Sequence, residues 1–137
     1  ILLFPFCSEH LQQKKWPYFD QLIKLIKQNH PNLKIVIAPG PDEIEKAKKL
    51  DAISILKEEK AISISELAGL IKRSKFVVAN DTGPAHMAAH LNVKGLSLFG
   101  SHTTAYKVSI ERENFKAIQV SDLKNLSAQK VFERLVL

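Results

Sequence analysis

A doubly wound α/β domain with a parallel sheet is the fold this sequence predicts, and three observations predict it. Short apolar runs bounded by turn residues alternate with stretches of helical periodicity along the whole chain. The connections between those runs are helix-length, as parallel strands require and tight hairpins do not. No internal repeat, low-complexity tract or composition break divides the 137 residues, so a single domain is expected over 1–137.

Taken in order, Ile1 to Phe6 is a continuous apolar run closed by Cys7-Ser8, as a buried parallel strand would read. A polar loop over 8–15 follows. Trp16-Pro17 opens a helix whose apolar positions Phe19, Leu22, Ile23 and Ile26 keep the helical period, and His30-Pro31-Asn32 breaks it. Leu33 to Ala38 is a second strand, ended by Pro39-Gly40-Pro41. Asp42 is placed to cap a helix over roughly 43–50, with Ile44, Ala47 and Leu50 on one face. Ala52 to Leu56 reads as a third strand, and Lys57-Glu58-Glu59-Lys60 as a charged loop.

Ser63 to Ser65 leads into a helix through Lys72, with Leu67, Leu70 and Ile71 inward. Phe76 to Ala79 is the fourth strand, Ala85 to Leu91 its helix, and Gly95 to Phe99 the fifth strand. Residues 105–114 read as irregular or a short helix, and Phe115 to Val120 as a sixth, edge strand. Ser127 caps a last helix that turns Val131, Phe132, Leu135 and Val136 inward. Right-handed crossovers would place helices on both faces of such a Rossmann-like sheet. Ligands then bind beyond the carboxyl ends of strands one and four.

Composition bounds the function. The 45% apolar and 25% charged content is that of an ordinary soluble globular chain. No apolar run approaches the ~20 residues needed to span a bilayer. Ile1 to Phe6 is too short for a signal peptide and lacks a basic leader. The chain does not begin with Met, which points to a fragment or an excised domain. A single cysteine, Cys7, excludes an internal disulfide and fits a reducing, cytoplasmic setting, where it reads as a small buried or half-buried residue in preference to a reactive thiol. The net charge of +6 is explained mostly by a solvated surface of mixed charges, and its functional reading is attraction to anionic ligands or an anionic membrane surface. No recognition-helix, zinc-finger or aromatic pattern for nucleic acid accompanies it.

The strongest local signal is Asn80-Asp81-Thr82-Gly83-Pro84-Ala85-His86, at the junction of the fourth strand and its helix. Gly83 is expected to supply freedom in the turn and Pro84 to occupy the first helical position. A helix opening here presents N–H groups and a partial positive charge, which suits a phosphate. Asp81, Thr82 and His86 surround that opening with an acid, a hydroxyl and an imidazole. Asp81 is a helix cap or a ligand-binding acid, and its place at the switch point favours the second. Across the crevice, Lys14 or Lys15 would reach the same phosphate from the loop after strand one. Asp42 lies where such folds place an acid on a ribose hydroxyl, or it caps its helix.

Other chemistries fit less well. His86 and His90 have zinc-ligand spacing on a helix, but Met87 stands where the metalloprotease motif needs Glu, so no metal site is assigned. There is no Gly-x-Gly-x-x-Gly after strand one, no Walker lysine and no Gly-x-Ser-x-Gly elbow.

Lys14-x-Trp16-Pro17 and Asp81-Thr82-Gly83-x-x-His86-x-Ala88-Ala89, together with Ser65-Glu66-Leu67-Ala68 and Lys75-Phe76-Val77-Val78, resemble the ADP-heptose:lipopolysaccharide heptosyltransferases of glycosyltransferase family 9. The resemblance runs through nearly the whole chain. It implies one lobe of a two-lobed GT-B enzyme, the C-terminal sugar-nucleotide-binding lobe, without the acceptor lobe. It further implies that Lys14, Thr82, Gly83 and the helix N-terminus hold the diphosphate of an ADP-sugar, while Asp81 and His86 face the heptose or phosphate. Ser8 would lie near the phosphates, Ile62 beside adenine and Asp42 near the ribose.

The implied reaction is inverting transfer of heptose from ADP-heptose to the lipopolysaccharide inner core, with no cofactor or metal and with the general base in the other lobe. A cytoplasmic location, with peripheral contact at the inner membrane, goes with that substrate. Two departures stand out. The loop from Ser8 to Lys14 is longer than the family's usual turn, leaving Lys14 and Lys15 both eligible. After strand five, Gly100-Ser101-His102-Thr103-Thr104 replaces a common Gly-Pro-Thr. A GT-B relative using another sugar nucleotide, such as an epimerase, and a non-catalytic nucleotide-binding module are the alternatives.

Overall fold

The computed structural model describes residues 1–137. Six parallel strands form one sheet: β1 (Leu2–Phe4), β2 (Val36–Ile37), β3 (Ile53–Ser54), β4 (Val77–Asn80), β5 (Gly95–Phe99) and β6 (Phe115–Gln119). Their order is β3-β2-β1-β4-β5-β6. Leu3 is registered against Ile37 on one side and Val78 on the other, and Val78 against Leu96. The order reverses between β1 and β4, so the doubly wound fold and its switch point stand where the sequence puts them.

Six α-helices cover the faces: α1 (Phe19–Asn29), α2 (Ile44–Lys48), α3 (Ile64–Arg73), α4 (Gly83–His90), α5 (Ala105–Val108) and α6 (Ala128–Glu133). Successive side chains of a strand point to opposite faces. Leu3 and Val78 therefore join Phe19, Leu22, Ile23 and Ile26 of α1 and Val131 of α6 in one core. Leu2, Val77 and Ala79 join Ile71 of α3 and Ala85, Ala88 and Ala89 of α4 in the other. Trp16 anchors the first core: its indole Nε1–H donates to the Leu126 carbonyl at 2.7 Å, so this large ring is buried with its polar atom satisfied. No helix is long and apolar enough to cross a membrane.

Several elements differ from expectation. The apolar runs predicted for β1, β2 and β3 are longer than their paired segments, because the flanking backbone leaves the ladder to enter the turns at either end. Pairing persists just outside the shortest strands: Ile53 N–H donates to Ile35 at 2.9 Å and Ile55 N–H to Ile37 at 2.8 Å. The polar stretch 8–15 is not open loop but a 3-10 turn over Glu9–Lys14. α1 begins at Phe19 rather than at Trp16-Pro17, since Trp16 is drawn into the core ahead of it.

Lys57 and Lys60 exchange backbone hydrogen bonds across a tight turn with Glu58 and Glu59 at φ 51° and 66°. Residues 105–108 are the short helix α5. Ser63 caps α3 in a reciprocal box with Glu66, and Ser127 Oγ accepts from Lys130 N–H at 3.2 Å. Val136 is corrected: α6 stops at Glu133, and without a further turn Val136 is left exposed.

Candidate functional site

The site is built where the loops leaving β1 and β4 diverge. The Trp16 backbone N–H donates to Asn80 Oδ1 at 3.1 Å, fastening the end of the β1 loop to the last residue of β4. Both groups are buried, so this bond fixes the distance across the crevice. Topology brings the two loops together, and this bond sets how they meet.

At the β4–α4 junction Thr82 is the N-cap residue, in extended backbone, and no side chain caps the helix. Its hydroxyl instead donates to the Asn80 carbonyl at 3.3 Å. The turn therefore leaves the helix opening to a ligand rather than to a protein cap. Gly83 plays a different part from the one expected. It lies inside α4, and no glycine of the chain has positive φ. A Cβ built at Gly83 would meet nothing within 4 Å. The missing side chain clears an approach to the helix end and does not relieve a strained turn. Pro84 stands at the second helical position, where its absent N–H is still harmless.

Asp81 does not cap α4. It is buried, and three cationic or imidazole groups converge on its carboxylate: Lys14 Nζ at 3.6 Å and His102 Nε2 at 3.0 Å on Oδ2, and His86 Nε2 at 3.3 Å on Oδ1. A buried carboxylate without partners is destabilising by several kcal/mol, and these donors are what make the position tenable. The two lysines part company here. Lys14 turns to Asp81, while Lys15 Nζ sits 5.8 Å from the centroid of the Phe6 ring. His90 is turned away from this group, with Nδ1 2.8 Å from the His86 carbonyl of its own helix.

Beside the α4 opening lies a cleft of about 570 Å³ that brings together Ser8, Asp42, Ile62, Thr82 and Gly83. Its apolar wall includes Ala38, Ile62 and Leu67, and its polar rim includes Ser8, Asp42, Glu43 and Lys46. Thr82-Gly83 thus separates an amphipathic cleft on one side from the charged Asp81 group on the other. Asp42 is exposed and caps nothing, because Glu43 holds the N-cap position of α2. Glu43 accepts from the Gly40 N–H at 2.9 Å, closing the turn and leaving the Asp42 carboxylate at the cleft. Cys7 also lines the cleft. Burial pushes its thiol up from the usual range, against the opposing pull of Lys15, so it stays protonated near neutral pH.

Two members of this arrangement escaped the sequence reading. Asn80 was seen only as the start of the turn, and its buried carboxamide in fact organises the crevice. His102 was read as part of a polar loop. The signal available was its place after strand five, beside strand four in the doubly wound order, but nothing in its neighbours marks it as buried.

The sequence matches the family profile of glycosyltransferase family 9 (heptosyltransferase) over residues 1–135. It is 28% identical over 114 residues to lipopolysaccharide heptosyltransferase 1 of Campylobacter coli, covering 77% of this chain and 33% of that protein. In fold it is similar to E. coli heptosyltransferase WaaC solved with ADP, with a TM-score of 0.82 at 23% identity, covering 96% of this chain and 42% of that one. The same enzyme solved with ADP-2-deoxy-2-fluoro heptose gives a TM-score of 0.79 at 23% identity over 96% and 41% of the two chains. The chain thus spans a third of the curated relative and about two fifths of the solved ones. On the family match over nearly its whole length, the chain belongs to glycosyltransferase family 9, the heptosyltransferases.

Proposed function

We propose that this chain is the donor-binding lobe of a GT-B heptosyltransferase and holds ADP-heptose at the β1–β4 crevice. The observation that carries the reading is the uncapped opening of α4 at Gly83, flanked by Lys14 on Asp81. A diphosphate fits that setting. Backbone N–H groups and the helix dipole face its oxygens, Thr82 and Ser8 offer hydroxyls, and Lys14 supplies a full positive charge. The adenosine end extends into the cleft, with adenine against Ile62 and the ribose near Asp42. The sugar end lies toward Asp81 and His86. One relative, solved both with ADP and with a fluorinated ADP-heptose, supports this choice of ligand.

In the proposed reaction the bond between the heptose anomeric carbon and the diphosphate oxygen breaks, and its electron pair leaves with ADP. An acceptor hydroxyl of the lipopolysaccharide inner core attacks from the opposite face and inverts the centre. Lys14 and the α4 N-terminus stabilise the charge developing on ADP, which is the principal electrostatic demand of the step. The acceptor and the general base are assigned to the part of the relatives that this chain does not cover. A cytoplasmic setting at the inner-membrane face follows from the acceptor, and the net charge of +6 is compatible with it.

Calorimetric titration with ADP, UDP, NAD and ADP-heptose tests the reading. ADP and ADP-heptose should bind selectively. Lys14→Ala should weaken both by roughly ten- to a hundredfold, as expected for a lost charge-assisted contact. Asp81→Ala should weaken ADP-heptose more than ADP. The chain alone should bind donor without transferring heptose. Equal or absent binding of the four ligands, indifferent to both substitutions, would overturn the assignment.

A further inference from the structure

His102 belongs to the loop that departs from the family's common Gly-Pro-Thr, yet it makes the shortest contact to the buried acid of the site. Its Nε2 lies 3.0 Å from Asp81 Oδ2, against 3.3 Å for His86 and 3.6 Å for Lys14. The three partners also differ in access. The Lys14 side chain is 25% exposed and that of His86 36%, whereas those of His102 and Asp81 are each 5% exposed. Lys14 and His86 are thus open to a ligand from outside, whereas His102 is enclosed together with Asp81.

The loop is built to keep His102 in place. Its ring stacks on Phe99, with centroids 5.8 Å apart and planes 12° apart. Gln119 at the end of β6 straps both sides of it, donating from Nε2 to the carbonyls of Gly100 (2.7 Å) and Thr103 (3.2 Å) while Oε1 accepts from the Ala105 N–H at 3.0 Å. His102 Nδ1 is buried without a partner, so the imidazole's one protein contact through a ring nitrogen is the one to Asp81. A buried polar atom left unpaired is tolerated where the other end of the group is needed.

We propose that His102 is the positioning residue of Asp81: it stays on Oδ2 when Lys14 turns to the donor's diphosphate. The inference rests on the donor-lobe reading. Lys14 shares Oδ2 with His102, so its departure would strip the buried carboxylate of one neutralising partner. With His102 present, the carboxylate keeps a donor and its orientation. Without His102, Asp81 either holds Lys14 back from the diphosphate or, once Lys14 turns away, faces the phosphates with no partner left on Oδ2. Either outcome weakens binding of an anionic donor.

ADP titration of the 137-residue chain carrying His102→Ala, His102→Gln, Asp81→Asn and the double variant His102→Ala/Asp81→Asn tests this. His102→Ala should weaken ADP about tenfold, and His102→Gln should recover most of the loss, because its amide can still donate to Oδ2. In the Asp81→Asn background, His102→Ala should change ADP affinity by less than about twofold, since the group it acts through is gone. Histidine nitrogen NMR on the unaltered chain gives a readout that needs no variant to fold: His102 should carry its proton on Nε2. Wild-type binding that His102→Ala leaves unchanged, an equal loss in both backgrounds, or a bare Nε2 would overturn the proposal while leaving the donor reading intact. Failure of the wild-type chain to bind ADP would overturn both.

Discussion

The two faces of the sheet are covered in opposite ways. On one, α1 packs Phe19, Leu22, Ile23 and Ile26 around Trp16, and every one of these side chains is buried. On the other, α4 approaches β4 through Ala85, Ala88 and Ala89. Large side chains bury much apolar area and hold the fold. Small ones contribute less, but they let the α4 backbone lie close to the strand that delivers Asn80 and Asp81. α1 fills its face with large side chains, whereas α4 places a helix end on the other face, where Ile71, Phe99, Ile110 and Phe115 supply the bulk. The division explains why the polar residues of the site collect at the opening of α4, and why the entry to α1 carries the ring of Trp16.

Cutting into the face packed by α1 should give the largest effect. Leu22→Ala removes a fully buried side chain from the middle of α1 and should lower stability by about 2–5 kcal/mol in chemical denaturation. The ADP affinity of the folded fraction should stay within a factor of two. A matched loss of affinity would break the division between the faces.

Filling the other face should act on both properties. Ala88→Leu overpacks the α4–β4 contact and should destabilise by about 1–3 kcal/mol, lifting the helix and weakening ADP binding as well. Unchanged affinity would mean that close approach of α4 to the sheet does not position the site.

The smallest effect on stability should come from Gly83→Ala. The added methyl meets no protein atom and the backbone is already helical, so stability should hold or rise by less than about 1 kcal/mol. ADP affinity should nevertheless fall, because the methyl stands in the approach to the helix end. Equal stability and equal affinity would show that the open space at Gly83 is not used by a ligand.

Much of this was legible in the residues, for stated reasons. Apolar runs and helical periodicity reflect which groups must leave water, so the alternation of strands and helices could be read directly, while the reversal between β1 and β4 follows only from the strand order common to such folds. Capping by Ser127 was legible because a hydroxyl at that spacing satisfies a helix N–H locally. Asp81, Thr82 and His86 were legible because they share one turn. Local chemistry misled where a distant group had the stronger claim. Gly83 looked like a turn glycine although its φ is unremarkable, and of the two roles open to Asp81 the less favoured one, the cap, is excluded because Lys14, His86 and His102 take its carboxylate. Val136 kept the apolar character of a core residue one helical turn too late.

By itself, then, the sequence determined the fold class, the place of the switch point and the residues at the head of α4, because each depends on contacts within one element or on the order of elements. The tertiary structure alone decided three further matters. It turned Lys14, and not Lys15, onto Asp81. It made Asn80 the tie between the two loops. It brought His102, 21 residues away in sequence, onto Asp81. Each is a side-chain contact between segments far apart in the chain, whose partner is set by how two loops pack and by no local pattern of residues.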